Sequence, residues 1–145
     1  MSIYKPAIFI FCLIIALLIW ASVSHSQLIT ATGIEPAYCE AILHKVEQVV
    51  GCKVRAPISV EVVERSEDAK SPGLMALCHS IVGLYEEDVR RITIVRSSLS
   101  PWLLAHEFAH CLYIDGGYSF HPESWADITA SMATGMKKPK MKVRY

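Results

Sequence analysis

The sequence predicts a small α+β domain, a short β-sheet packed with an N-terminal helix and two later helices. Three observations carry that expectation: a helical apolar spacing after Pro36, β-branched runs between residues 57 and 96, and two helical segments with clear starts after Ser100 and Pro122. A chain of 145 residues suffices for one core and not for two.

Taken in order, residues 7–20 read AIFIFCLIIALLIW without a charge, with Lys5 before them and the polar stretch Ser22–Gln27 after. This is the layout of a secretory signal. A spanning helix needs about 20 apolar residues, a length reached only by counting Ala21–Val23 as well. Residues 1–26 are therefore expected to be a signal peptide, with Ser24 and Ser26 suited to a cut before Gln27, or else an uncleaved signal anchor. Residues 27–145 then form a single domain outside the cytoplasm. It is secreted or periplasmic, or it is anchored, with membrane association through residues 7–23.

Residues 27–35 read as an irregular lead-in. Pro36 opens a helix whose apolar face is marked by Ala37, Ala41, Ile42, Val46 and Val49, and Gly51 stops it. Residues 57–64 alternate with period two and predict a strand. Residues 66–73 are polar and Pro/Gly-containing, a loop. LMALCHSIVGLY (74–85) suggests a second strand or a bent pair, Glu86–Asp88 a turn, and Arg91–Arg96 a short β-branched strand. Ser100 and Pro101 supply an N-cap and a first helical residue for a helix that runs to Asp115-Gly116-Gly117. Pro122 precedes the last helix, ESWADITASMATG. Leu104, Phe108, Cys111 and Leu112 are expected in the core, as are Trp125, Ile128 and Met132. Trp102 is expected to pack on the sheet.

Formal net charge is zero, so no basic field argues for a nucleic-acid partner. The tail bearing Lys137, Lys138, Lys140, Lys142 and Arg144 reads as a solvated terminus. Beyond Cys12 there are four cysteines: Cys39, Cys52, Cys78 and Cys111. In an oxidising compartment an even number favours two disulfides. Cys39 and Cys52 bracket a helix that would hold them about 20 Å apart, beyond the roughly 4.4–6.8 Å of a bridge, and the pairing is otherwise open. No CxxC pair suggests a cysteine-rich metal site.

Chemistry concentrates in His106-Glu107-Phe108-Ala109-His110. Residues four apart share a helix face, so the two imidazoles can bind one zinc ion. Glu107, beside the first, is placed to take a proton from water. His106, Glu107 and His110 are expected to face outward into a cleft. A catalytic zinc usually takes three protein ligands. Glu123, at the start of the last helix, is the stronger candidate for the third and His121 is its rival. Asp127, four residues after Glu123, can orient a ligand histidine.

HEFAH with Glu123-Ser124-Trp125-Ala126-Asp127 resembles the zincin metallopeptidases, and within them the gluzincins, which pair HExxH with a downstream ExxxD. The likeness covers roughly residues 91–136. It implies a zincin-like fold, Zn2+ as cofactor, Glu123 as third ligand and Asp127 as the hydrogen-bond partner of a ligand histidine. It also implies a peptide or protein substrate laid along an edge strand, either Arg91–Arg96 or the segment near Val82–Tyr85. The departure is the connection: only twelve residues separate His110 from Glu123, so Gly116-Gly117 must turn tightly. Metzincins place a third histidine six residues after the second, and His121 does not match that spacing. Tyr118, in the glycine loop, is a catalytic candidate as an oxyanion donor, though a packed surface tyrosine fits the sequence as well. The expectation is thus an exported zinc metallopeptidase. The alternative is a catalytically silent zincin-fold binding or surface-assembly protein that retains the metal.

Overall fold

The structure, a computed structural model, describes residues 28–65, 68 and 83–139. The expected signal segment, Cys78, His79 and most of the expected 66–73 loop lie outside the described residues. Within them the fold is α+β, with three helices and a four-stranded mixed sheet. The elements are β1 (Ile29–Thr32), α1 (Pro36–Val50), β2 (Ile58–Val63), β3 (Gly83–Glu86), β4 (Arg91–Val95), α2 (Pro101–Asp115) and α3 (Glu123–Thr134).

The strand order is β1-β2-β4-β3. β2 pairs in parallel with both β1 and β4, and β3 runs antiparallel to β4 at one edge, with Tyr85 opposite Ile92. Two expectations change here. The lead-in is not irregular: Ile29–Thr32 forms a strand because β2 supplies its partner, which a four-residue ITAT stretch cannot advertise alone. Arg91–Arg96 is not an edge: β4 lies between β2 and β3, so the edge beside the helices is β3.

α1 starts with Pro36 in its first turn and stops at Gly51, whose φ of 78° is the left-handed conformation that glycine adopts without strain. Ile42 and Val46 are buried as expected, together with Cys39 and Leu43. Ala37 and Ala41, expected on the same face, are exposed. The face is rotated because α1 packs against α2 and α3 as well as the sheet.

α2 is the centre of the molecule. Ser100 accepts a hydrogen bond from the Leu103 amide at 3.1 Å, a cap that contributes about 1 kcal/mol. Every residue from Trp102 to Ala109 is buried, because sheet, α1 and α3 surround the helix. Leu104, Phe108, Cys111 and Leu112 join Ile58, Val60, Ile92 and Ile94 in the core.

α3 differs from expectation. Ala126, Thr129 and Ala130 are its buried residues, whereas Trp125, Ile128 and Met132 are exposed. The small residues let α3 lie close against α2, and that turns the larger ones outward. Trp102 is buried in the same core cluster as the sheet residues Ile92 and Ile94. It stacks on His106, with ring centroids 5.1 Å apart, and donates its indole N–H to Ser131 Oγ of α3 at 3.0 Å.

The two expected disulfides find no bridge among the described residues. Cys39, Cys52 and Cys111 carry free thiols, and burial pushes both Cys39 and Cys111 up to about 11. Below them a polar cluster ties α2 to the loops before β2 and β4. Arg90 grips Asp115 with two hydrogen bonds of 2.7 and 2.9 Å and donates to Ala56 O and Pro57 O. The Arg55 amide adds a third donor to Asp115 at 2.9 Å. Arg90 holds a φ of 49°, a left-handed geometry uncommon for any residue other than glycine.

Candidate metal centre

The site lies where α2 meets the N-terminus of α3. His106 and His110 project from one face of α2, a turn apart. Glu123 is the first residue of α3, where the helix dipole favours a carboxylate. The link is short because the chain turns immediately after α2: the Gly117 φ is 92°, and the Tyr118 amide bonds back to Tyr113 O at 2.8 Å. One donor atom from each of His106, His110 and Glu123 lies within 4.8 Å of the others. The cluster can hold a metal ion.

The separations are close. His106 Nε2 stands 2.8 Å from Glu123 Oε1 and 3.1 Å from His110 Nε2, and His110 Nε2 is 3.4 Å from Glu123 Oε2. Behind His106, Asp127 Oδ1 lies 3.2 Å from Nδ1, close but outside hydrogen-bond geometry, and neither buried atom has another hydrogen-bond partner. A proton on Nδ1 would face that carboxylate and leave Nε2 with a lone pair toward the cluster. That lone pair then faces another acceptor, the Glu123 carboxylate, at hydrogen-bond distance. Two acceptors placed so repel unless a proton or a cation lies between them. With a second imidazole nitrogen converging on the same point, the donor set suits a metal ion.

Asp127 is itself held. Lys138 donates to Oδ2 at 2.6 Å and lies 6.0 Å from the centroid of the Trp102 ring. The tail expected to be a solvated terminus therefore contributes one residue to the site's support, a pairing that becomes visible only when α3 brings Asp127 and the chain beyond Gly135 together.

His121 sits behind His110. Its Nε2 is 2.8 Å from His110 Nδ1, and its Nδ1 is 2.8 Å from Tyr118 O. Burial and then the neighbouring His106 push His110 down, which favours its neutral form.

His106 and Glu107 are not exposed in an open cleft: they are 6% and 4% accessible, while Glu123 supplies the solvent side. Glu107 turns toward β3, where it accepts a hydrogen bond from the Tyr85 amide. Burial, reinforced by the negative Glu123, pushes its carboxyl up to about 8 against that bond. A cation at the cluster would act in the opposite direction. Gly83 makes the approach possible: a Cβ there would sit 2.9 Å from Glu107 Oε1 and 3.1 Å from the Leu103 side chain. Nothing in the sequence marked Gly83, because its requirement comes from a helix that is distant along the chain.

The structure therefore brings together His106, Glu107, His110, Glu123 and Asp127 in one place. The Tyr118 ring is half exposed and packs edge-on against Tyr113 and Trp125, at 6.5 and 5.9 Å between centroids. Its contribution to the cluster is its backbone carbonyl. Among the described residues, no helix is long and apolar enough to cross a membrane. Compared with protein-family models, curated proteins and solved structures, the chain matches none of them.

Proposed function

We propose that this chain is an exported zinc metallopeptidase that hydrolyses peptide bonds in a peptide or protein substrate. The observation that carries the reading is the convergence of three acceptor atoms, from His106, His110 and Glu123, within 4.8 Å, with the Glu107 carboxyl buried beside them. Zinc held there by His106, His110 and Glu123 would supply Lewis acidity and lower the pKa of water toward neutrality. Glu107 would take a proton from water as the water oxygen bonds to the substrate carbonyl carbon, and would deliver it to the departing nitrogen as the C–N bond breaks. Asp127 holds the His106 ring throughout. β3 is the sheet edge beside α2 and its Tyr85 amide bonds Glu107, so a peptide added along β3 runs next to the base. Tyr118 remains the candidate for stabilising the oxyanion, which would require its ring to leave Tyr113 and Trp125 for the cluster. The segment 1–26 supports export by its composition.

One observation favours the second reading, a zinc-retaining binding or surface-assembly protein without turnover. Glu107 is 4% accessible and its carboxylate is engaged by the Tyr85 amide. Metal analysis and peptide-library hydrolysis on the wild type, Glu123→Ala and Glu107→Gln separate the readings. The peptidase reading expects stoichiometric zinc in the wild type, its loss in Glu123→Ala, and full zinc in Glu107→Gln with turnover reduced about 10²–10⁴-fold. Full zinc with no hydrolysis by the wild type supports the silent protein. A wild type that takes up no zinc sinks both.

A further inference from the structure

We infer that His121 is a positioning residue that fixes the His110 ring, presenting the His110 Nε2 lone pair to the metal; this rests on the reading of His110 as a ligand. The Tyr118 carbonyl oxygen can only accept, so His121 Nδ1, 2.8 Å away, carries the proton of that bond. A neutral imidazole has one N–H, which leaves His121 Nε2 as an acceptor. His110 Nδ1 lies 2.8 Å from that nitrogen and must donate to it. In a neutral His110 ring the other nitrogen, Nε2, is then bare, and it is Nε2 that faces His106 Nε2 and Glu123 Oε2 at 3.1 and 3.4 Å.

The support is rigid at each step. The Tyr113 ring lies against His121 with centroids 5.0 Å apart, and the Tyr113 hydroxyl is tied to Thr129 Oγ1 at 2.7 Å. The Tyr118 carbonyl is fixed because its own amide bonds to Tyr113 O. The two histidines are thus backed by unlike groups. A carboxylate anion, itself paired with Lys138, stands 3.2 Å behind His106 Nδ1. An uncharged acceptor orients His110, and it adds no negative charge beside the Glu123 carboxylate. His121 reaches the cluster through His110 and not as a ligand: its two ring nitrogens are both already engaged, one by His110 and one by a carbonyl.

Two measurements test this. In the metal-free protein at alkaline pH, imidazole ¹⁵N shifts report the His110 tautomer. The Nδ1–H form is expected to dominate in the wild type, to lose its dominance in His121→Ala and to return in His121→Gln, whose amide oxygen accepts the same hydrogen bond. In competition with a chelator, His121→Ala is expected to bind zinc about 10–100-fold more weakly than wild type, with His121→Gln recovering most of the loss. A merely structural role would not reproduce that rescue. An unchanged tautomer in His121→Ala together with unchanged zinc affinity overturns the inference. So does a His121→Ala protein as empty of zinc as His110→Ala with an altered Co²⁺ spectrum in the Gln variant, since His121 would then be a ligand. Failure of the wild type to bind zinc defeats the metallopeptidase reading, while the tautomer measurement still decides whether His121 sets the His110 ring.

Discussion

Helix α2 carries two buried polar clusters, and they are built on opposite principles. At its C-terminal end Asp115 accepts three hydrogen bonds from Arg90 and Arg55. Donors match acceptors there, and opposite charges meet. In its middle, the Nε2 atoms of His106 and His110 converge with the Glu123 carboxylate, and with both rings protonated on Nδ1 acceptors meet acceptors. The first arrangement is complete within the chain and reads as structure. The second needs a proton or a cation between its acceptors, and reads as a candidate metal site. Burial alone does not distinguish them, since Asp115 and Glu107 are both nearly inaccessible; the balance of donors and acceptors does.

The largest effect is expected from breaking the closed cluster. Asp115→Ala leaves Arg90 partly buried without its anion and the Arg55 amide without its acceptor, and should lower unfolding stability by about 3–5 kcal/mol, measured by urea titration. Zinc at about 100 times its dissociation constant should add about 2.7 kcal/mol to the wild type, and the same increment should survive in Asp115→Ala while vanishing in Glu123→Ala. An increment lost in Asp115→Ala would mean that the two clusters are coupled and the contrast is wrong.

A smaller effect is expected at Gly83. In Gly83→Ala the new Cβ displaces the Glu107 carboxylate or Leu103, and turnover should fall about tenfold, as for about 1.4 kcal/mol of lost transition-state stabilisation, with zinc content unchanged. A full rate would show that Glu107 has room to move and that the close approach of β3 is incidental.

The gentlest probe is acid. Burial works against ionisation of Asp115 and Glu47, but Arg90 and Arg55 outweigh it at Asp115. At Glu47 the Val54 amide, His44 and Lys53 do so. Both carboxyls end below their ordinary values. A depressed folded-state value means the unfolded chain binds protons first. The stability is therefore fully present above the ordinary carboxylate range and is lost as pH falls through the folded values. Denaturant midpoints of the metal-free protein should fall on acidification below about pH 4, with a shallower slope in Asp115→Asn. An equal slope would remove Asp115 from the acid response.

Much of the site was legible in the chain. The His106–His110 spacing needs only a helix to put both rings on one face, and Ser100-Pro101 marks where that helix begins. Glu123 and Asp127 are four apart on a second helix, so one can reach the cluster while the other supports it. What could not be read depended on contacts between distant segments. Trp125, Ile128 and Met132 have helical spacing suited to a core, yet the close packing of Ala126 and Ala130 turns them to solvent. His121 has the chemistry of a ligand, and only the turn after Gly117 sets it behind His110.

The sequence by itself determined the helices, their caps, the metal-binding residue types and their periodic spacing, because each depends on neighbours within a turn or two of the same segment. The tertiary structure decided which strand forms the edge, that ITAT becomes a strand, that Glu107 is buried against Gly83, and which histidine holds which. Those depend on distances between atoms far apart in the chain, and no local preference encodes them.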